Sequence, residues 1–407
     1  MYMRTLLILF FVASLSLVVT LPVDADTNTL QQDVNALQNV GNSGVYAEAH
    51  DHGQVNIAKA GVAQLDTTNP VPFGTHYRTG SVTKTFVAAT ILLLVGQGKL
   101  SLDDTVAHWL PKLPNENGND WSKITIRELL NHTSGLYDYV QDPNFLATID
   151  TADAYQANYN KTYAPQDLIN IALSHHLNFA PGTGWSYSST NYVVAGQIIQ
   201  AVTGKTWDAE IDSLISQPLG LTDTFYPGMT ITMPDPFAYA YNIYTTSASN
   251  RIYTDVTLDN MTWADAGGGL ISTTSDENKF MSSLLSGKLL QPNQLTQMET
   301  LVPVQKNVGY GLGIVGQQLS CMKQLLWWHN GGTIGYETWT GTTADGTVSL
   351  ALTLSTSSFT GSDNTFNQTT SNLEDTLIRH VFCGPKTTAT DSITQLEPSM
   401  NNNSFLQ

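Results

Sequence analysis

The sequence predicts an α/β (α+β) protein: an antiparallel sheet assembled from both chain ends, flanked by helices, with a mostly helical lobe inserted between them. Three observations predict it. Strand-like runs lie near the start, within residues 44–61. More lie near the end, between Tyr310 and Thr353. The stretch between them reads mainly as helix, with apolar residues recurring at helical spacing. Strands at both ends with helices between them close as one sheet covered by helices.

Each element has a local reason. Thr27 to Val40 reads as an amphipathic helix, because Leu30, Val34, Leu37 and Val40 share a face. Gly44 to Gly61 reads as two strands around Asp51-His52-Gly53. Val87 to Val95 is apolar enough for a buried helix, stopping near Gly96-Gln97-Gly98. Leu102 to Leu110 reads as a short helix ending before Pro111. Thr125-Ile126-Arg127-Glu128 is a capping box opening a helix through Asn131. Tyr139 to Thr162 has a weak pattern and reads as a surface excursion. Pro165 to Leu173 and Asn191 to Val202 read as helices, and Ile211 to Leu219 follows as a third. Pro234 to Thr254 reads as loop or short strands. Ser275 to Leu285 is helical. Tyr310 to Gly316, Leu325 to His329, Glu337 to Thr342 and Val348 to Thr353 read as strands, with Ala344-Asp345-Gly346 as a hairpin turn. Asn364 to Phe382 is a closing helix.

Composition narrows the function classes. Lys and Arg total 17 against 34 Asp and Glu, a formal charge of −17. Phosphate repels such a surface, which argues against nucleic acid or an anionic membrane as partner. The apolar fraction of 41% supports a sizeable core. Arg4 followed by the uncharged run Leu6 to Leu21 and small residues reads as an export signal over residues 1–25, cleaved after Ala25. An N-terminal membrane anchor is the alternative, since the run is near the lower limit for a spanning helix. A single domain then covers residues 26–385, and the polar residues 386–407 read as a disordered tail. Cys321 and Cys383 fit an exported chain with one disulfide, or two unpaired buried thiols. Their spacing makes no zinc site. His50 with His52, and His175 with His176, lack a ligand set, so no metal and no cofactor is expected.

Gly80-Ser81-Val82-Thr83-Lys84 opens the apolar helix. Residues at i and i+3 share a helix face, so Ser81 and Lys84 point the same way in the first turn. Free N–H groups and partial positive charge gather there. That arrangement suits a serine nucleophile whose proton a lysine takes, with the N–H groups stabilising an oxyanion.

Two further stretches complete a pattern: Pro181-Gly182-Thr183-Gly184-Trp185-Ser186-Tyr187-Ser188-Ser189, and Trp328-His329-Asn330-Gly331-Gly332. Together with Ser81-Val82-Thr83-Lys84 they resemble, in order, the three motifs of the serine β-lactamase and D,D-peptidase superfamily. Flanks at Leu129 to Tyr139, Ala266 to Thr273, Tyr310-Gly311-Leu312-Gly313 and the cysteine pair are similar to the branch of class C β-lactamases and secreted serine D-alanyl-D-alanine carboxypeptidases. The resemblance spans about residues 30 to 385 and implies a β-lactamase/transpeptidase-like fold. It implies that Ser81 forms an acyl-enzyme and that Lys84 deprotonates it. It further implies that Tyr187 shares the proton and serves the leaving group or attacking water. By the same resemblance, His329 holds the Tyr187 and Ser81 network or the substrate, and the N–H groups of Ser81 and Gly332 form the oxyanion hole. Ser189, Asn330, Gly331 and Trp263 would contact substrate. Read alone, Tyr187 could be a core tyrosine, His329 a structural strand residue and Trp263 a packed loop residue.

The pattern departs in two places. The second motif usually ends in Asn, and here Ser189 offers only a hydroxyl. The carboxypeptidase type also grips a terminal carboxylate with hydroxyls and an Arg. Here those places hold Asn330, Gly332 and the uncharged Val315. The expected function is an exported, secreted serine hydrolase acting on small peptide or acyl substrates, with D-alanyl peptides of peptidoglycan type and β-lactams as candidates. D-alanyl-D-alanine carboxypeptidase activity leads. Esterase, D-amino-acid amidase or β-lactamase activity is the alternative within the same chemistry, and a non-catalytic binding or scaffolding relative the alternative outside it.

Overall fold

The computed structural model describes residues 27–247 and 250–385. The expected export segment and the expected tail lie outside the described residues. Among the described residues the main sheet has eight strands, all antiparallel to their neighbours. From edge to edge they run Gln54–Gly61, Gly44–Asp51, Val348–Leu354, Tyr336–Thr343, Leu326–Thr333, Val315–Gln317, Val308–Tyr310 and Val302–Gln305. The first two come from the start of the chain and pair with the end: Val45 sits opposite Leu354 and Ala49 opposite Leu350. The expected closure of one sheet from both ends is thus the observed fold.

The first hairpin turns at His52 and Gly53, with φ of 46° and 89°, between the paired Asp51 and Gln54. Two successive positive φ values match the right-handed twist of the strands they join. Helix Thr27–Asn39 buries Leu30, Val34 and Leu37 in one cluster with Leu377 and Ile378 of helix Asn364–Cys383. Asp33 Oδ2 and His380 Nδ1 lie 2.8 Å apart where the two helices meet. The other cluster centres on helix Val82–Gly96, buried on nearly every side. A helix apolar all round belongs in a core. Phe86 stacks on Phe280 of helix Thr274–Leu285 with centroids 3.6 Å apart. Around it pack Pro165–Leu173 and Thr190–Thr203.

Several elements differ from expectation for local reasons. The strand expected over Tyr310 to Gly316 breaks into two, because Gly313 takes φ 70° hard against Ala88 and the Lys84 carbonyl. The turn is closed by Gly311 N donating to the Ile314 carbonyl at 2.8 Å. The helix expected over Ile211 to Leu219 is interrupted: Trp207–Ile211 leads into a wide turn at Asp212–Ser216 before Gln217–Leu219. Pro218, which has no N–H to donate, sits just beyond that turn. Leu102 to Leu110 contracts to the single turn Val106–Trp109. The excursion after Tyr139 contains the short helices Pro143–Leu146 and Ala152–Asn158, capped by Asp142 and Thr151. Strands Tyr241–Ser247 and Asn250–Asp255 join Thr356–Ser357 in a small second sheet. The capping box is present: Glu128 N donates to Thr125 Oγ1 and Thr125 N to Glu128 Oε2. Cys321 and Cys383 form a disulfide across 62 residues, tying the loop after Val315–Gln317 to the end of the last helix. No helix among the described residues is long and apolar enough to cross a membrane.

Candidate active site

Gly80 enters the central helix at φ 53°, and Ser81 occupies the N-cap. Lys84 follows one turn later, fully buried. Its Nζ donates to Ser81 Oγ at 2.8 Å and to the Gly267 carbonyl at 2.6 Å. The same ammonium lies 4.8 Å from the centroid of the Tyr187 ring. Ser81 and Tyr187 both line a pocket of about 530 Å³ counted out to its open mouth, and Lys84 lies buried behind Ser81, outside the lining. The Ser81 amide donates to nothing among the described residues. Gly332 N lies so close to the turn that a Cβ on Gly80 would sit 2.7 Å from it. The Gly332 backbone is thus held against the turn that carries Ser81.

Tyr187 is held from behind by two histidines in different ways. His132, at φ 63°, accepts from Ser188 N at 3.2 Å and Asn191 Nδ2 at 3.0 Å, both through Nδ1. Two donors on one nitrogen leave the proton on Nε2. Its ring lies 4.3 Å from the Tyr187 ring. Burial, then the Lys84 ammonium, holds its proton affinity well below the ordinary range, so the imidazole is neutral. His329 is also neutral, pushed down to about 3 by burial, with the Asn330 carbonyl pulling the other way. Its Nδ1 donates to the Asn330 carbonyl at 2.6 Å, so Nε2 accepts from the Tyr310 hydroxyl at 2.9 Å. Tyr310 in turn meets Tyr187 edge-on at 6.3 Å. His329 meets the Tyr187 ring at 6.5 Å and also bonds Tyr310, which packs on Tyr187 in turn, so it stands on the Tyr187 side of the expected network. It is not among the residues lining the pocket.

Of the expected substrate contacts, Ser189 and Trp263 line the pocket, while Asn330 and Gly331 do not; Gly332, expected in the oxyanion hole, lines it as well. Gly331 instead lets strand Leu326–Thr333 close onto Thr79 and Ser81. Trp263 donates its indole N–H to Asp259 Oδ2 at 3.1 Å, and its carbonyl accepts from the Tyr139 hydroxyl at 2.7 Å. Asp265, with φ 42°, carries the short helix Asp265–Gly268 that aims the Gly267 carbonyl at Lys84, and it is anchored by Trp207 Nε1 at 2.8 Å. Burial pushes the Asp265 carboxyl up to about 7.

One residue of the site escaped the sequence reading. Asp138 lines the pocket, buried, with Oδ1 accepting from Ser189 N at 3.1 Å and Val140 N at 3.3 Å. Oδ2 takes no hydrogen bond from the described residues. Burial pushes this carboxyl up to about 6, against the pull of the Lys84 ammonium and the two N–H donors. It is the charged side chain among those lining the pocket; no Lys, Arg or His is there. An Asp just ahead of a helical turn reads as an N-cap, which this one also is. That role hid the other. Val315, expected where an Arg would grip a carboxylate, is a buried strand residue.

A serine nucleophile, a bonded lysine and a tyrosine on a helix-covered antiparallel sheet define a penicillin-binding-protein-like serine hydrolase class. The sequence profile of the Beta-lactamase family matches residues 30–370, and the chain belongs to that family. Among solved structures it is similar to a D-stereospecific amidohydrolase from Streptomyces sp. The two are 35% identical with a TM-score of 0.78, covering 88% of this chain and 99% of that one. D-amino acid amidase from Ochrobactrum anthropi SV3 is 26% identical with a TM-score of 0.71, covering 87% and 99%. Among curated proteins, penicillin-binding protein 4* of Bacillus subtilis (strain 168) is 30% identical over 68% of this chain and 60% of its own length. Esterase EstB of Burkholderia gladioli is 34% identical over 49% and 50%. The chain thus spans half to three-fifths of these two curated relatives.

Proposed function

We propose that this chain is an exported acyl-enzyme hydrolase of aminoacyl amides and peptides, selective for substrates whose acyl residue keeps a free α-ammonium. The observation that carries this reading is Asp138: a buried carboxylate in a pocket whose lining holds no cation. A C-terminal carboxylate, the group a D-alanyl-D-alanine carboxypeptidase must hold, would face that negative charge unpaired. An ammonium would find a partner at Oδ2. Similarity to a D-stereospecific amidohydrolase and a D-amino acid amidase supports a D-configured acyl residue.

The proposed steps are these. Lys84 acts as base only in its deprotonated form: Ser81 Oγ then attacks the carbonyl while its proton passes to the Lys84 amine. The Ser81 and Gly332 N–H groups hold the oxyanion. Tyr187 delivers a proton to the departing amine, which leaves the acyl group on Ser81. Water, deprotonated by the same side chains, then releases the acid and restores Ser81. A charge-assisted hydrogen bond contributes about 1.5–3 kcal/mol. D-phenylalanine amide should therefore be turned over with kcat/KM roughly 10- to 150-fold above its N-acetyl derivative, by the same arithmetic. The advantage should shrink on acidification below about pH 6, where Asp138 takes a proton. Equal or better turnover of N-acylated D-alanyl-D-alanine peptides would return the carboxypeptidase reading to first place.

A further inference from the structure

A second cleft, about 1060 Å³ counted out to its open mouth, shares no lining residue with the catalytic pocket. Three segments build it: helix Ala152–Asn158 with Tyr159 after it, the run from Thr232 to Tyr239, and the end of strand Asn250–Asp255 with the turn to Leu258. Hydrogen bonds fix these walls to one another. The Tyr155 hydroxyl donates to the Val256 carbonyl at 3.1 Å and to the Leu258 carbonyl at 2.6 Å. Ala240 N donates to Thr257 Oγ1 at 3.0 Å. The lining is aromatic with one charge. The Phe237 and Tyr239 rings lie 5.3 Å apart, the Tyr155 and Tyr159 rings 6.3 Å apart, and Met233 adds a thioether. Gln156, Thr232 and Thr257 are the neutral polar side chains. Asp255 carries the one charge, and no Lys, Arg or His lines the cleft. Its Oδ1 accepts from Thr257 N at 2.9 Å and from Thr257 Oγ1 at 2.6 Å, which fixes the carboxylate. Oδ2 takes no hydrogen bond from the described residues. Behind the floor, the buried Arg78 guanidinium donates to the Thr257 carbonyl at 2.8 Å. Buried Asp259 answers that charge. At the Tyr155 phenol, burial and then Asp259 push proton affinity up, Arg78 pulls it down, and Asp255 pushes it up again. The charge left over is Asp255, which is exposed.

We propose that this cleft is a second, non-catalytic site for a small alkylated ammonium, with Asp255 as its counter-charge and the Tyr159, Phe237 and Tyr239 rings against its alkyl groups. The face of an aromatic ring carries negative potential and attracts such a cation, while the ring carbon covers the methyl groups. An anion would meet Asp255 with no cation on the lining to hold it. The chain's formal charge of −17 adds a long-range field that gathers cations. The site needs neither acylation of Ser81 nor an ammonium at Asp138.

The test is choline binding to the intact protein at low salt, read by saturation transfer to the choline methyl resonance. The neutral probe of the same shape is 3,3-dimethylbutan-1-ol. Choline should bind saturably and about tenfold more tightly than the alcohol. Asp255→Asn keeps the Oδ1 acceptor for Thr257 and should weaken choline binding about two- to fivefold. Phe237→Leu keeps an apolar side chain and should weaken it by about the same factor. Both variants should retain a cooperative unfolding transition. Asp138→Asn should leave choline binding as in wild type, because the ammonium proposed there occupies the other pocket. Choline binding lost in Asp138→Asn and kept in Asp255→Asn would put the cation in the catalytic pocket, overturning this proposal and supporting the Asp138 reading. Equal affinity for choline and the alcohol, or no saturable choline binding, would also overturn it and would leave Ser81 acylation standing.

Discussion

Replacing Gly331 with alanine should slow acylation of Ser81 by about 10²–10³-fold, the size of effect that loss of an oxyanion donor produces. The added methyl would meet the Thr79 carbonyl at 2.0 Å, Thr338 Oγ1 at 2.6 Å and Ser81 N at 2.9 Å. No Cβ survives at such distances, so something must move. Thr79 cannot move cheaply, since its carbonyl accepts from Thr338 Oγ1 and from Val82 N. The strand has to back away from the helix, and Gly332 N leaves its place beside Ser81. Overpacking of this kind also costs about 1–3 kcal/mol of stability. The measurement is the rate of covalent labelling by a fluorescent fluorophosphonate, mapped to Ser81, in variant protein shown to be folded by its unfolding transition. Labelling at the wild-type rate would mean that the two backbone segments do not cooperate.

Glu277→Gln should stabilise the protein and flatten its pH dependence. Glu277 lies fully buried on helix Thr274–Leu285, and burial pushes its carboxyl up to about 8, with the Tyr77 hydroxyl pulling in the other direction. In the unfolded chain it titrates near 4.3. Between those values the folded state binds the extra proton, so stability falls as pH rises, by about 1.4 kcal/mol per pH unit. Glutamine keeps the volume and removes the titration. The variant should be more stable at neutral pH by an amount on the order of 4 kcal/mol. Asp138 and Asp259 add the same sign only up to about pH 6, and Asp265 up to about 7. The neutral histidines His132 and His329 act in the opposite sense, below about pH 6.5. From about pH 7 to 8 the slope in wild type therefore belongs to Glu277. Denaturant unfolding across that interval should show a falling stability in wild type and a level one in the variant. Parallel slopes would assign the dependence elsewhere.

Residues that act through the chain's own local geometry were the ones legible in the sequence. Ser81 and Lys84 are spaced to share a helical turn, and the Thr125 and Glu128 capping box needs only two side chains in register. Val45 and Leu354 are apolar strand residues whose pairing follows from having strands at both ends. What was not legible depends on long-range placement. Asp138 looks like a cap, and its position in the pocket is set by Ser189, 51 residues away. His329 fits its motif, but its partner Tyr310 lies 19 residues away and no local pattern announces it. The break at Gly313 comes from the approach of Ala88, on a helix far away in sequence. The weak pattern after Tyr139 reads as surface, yet Val140 and Gln141 wall the pocket. Short, capped turns carry no apolar period, so periodicity could not find them.

The reacting atoms hang from a helix start and a strand that touch through glycines, whereas the walls around them come from separate excursions: Asp138 to Gln141, Trp263 and Phe359. A chain built this way can exchange its walls without disturbing the machinery they surround. One scaffold could then be retargeted from one acyl group to another by loop replacement alone, and the terminal strands would hold the frame shut throughout.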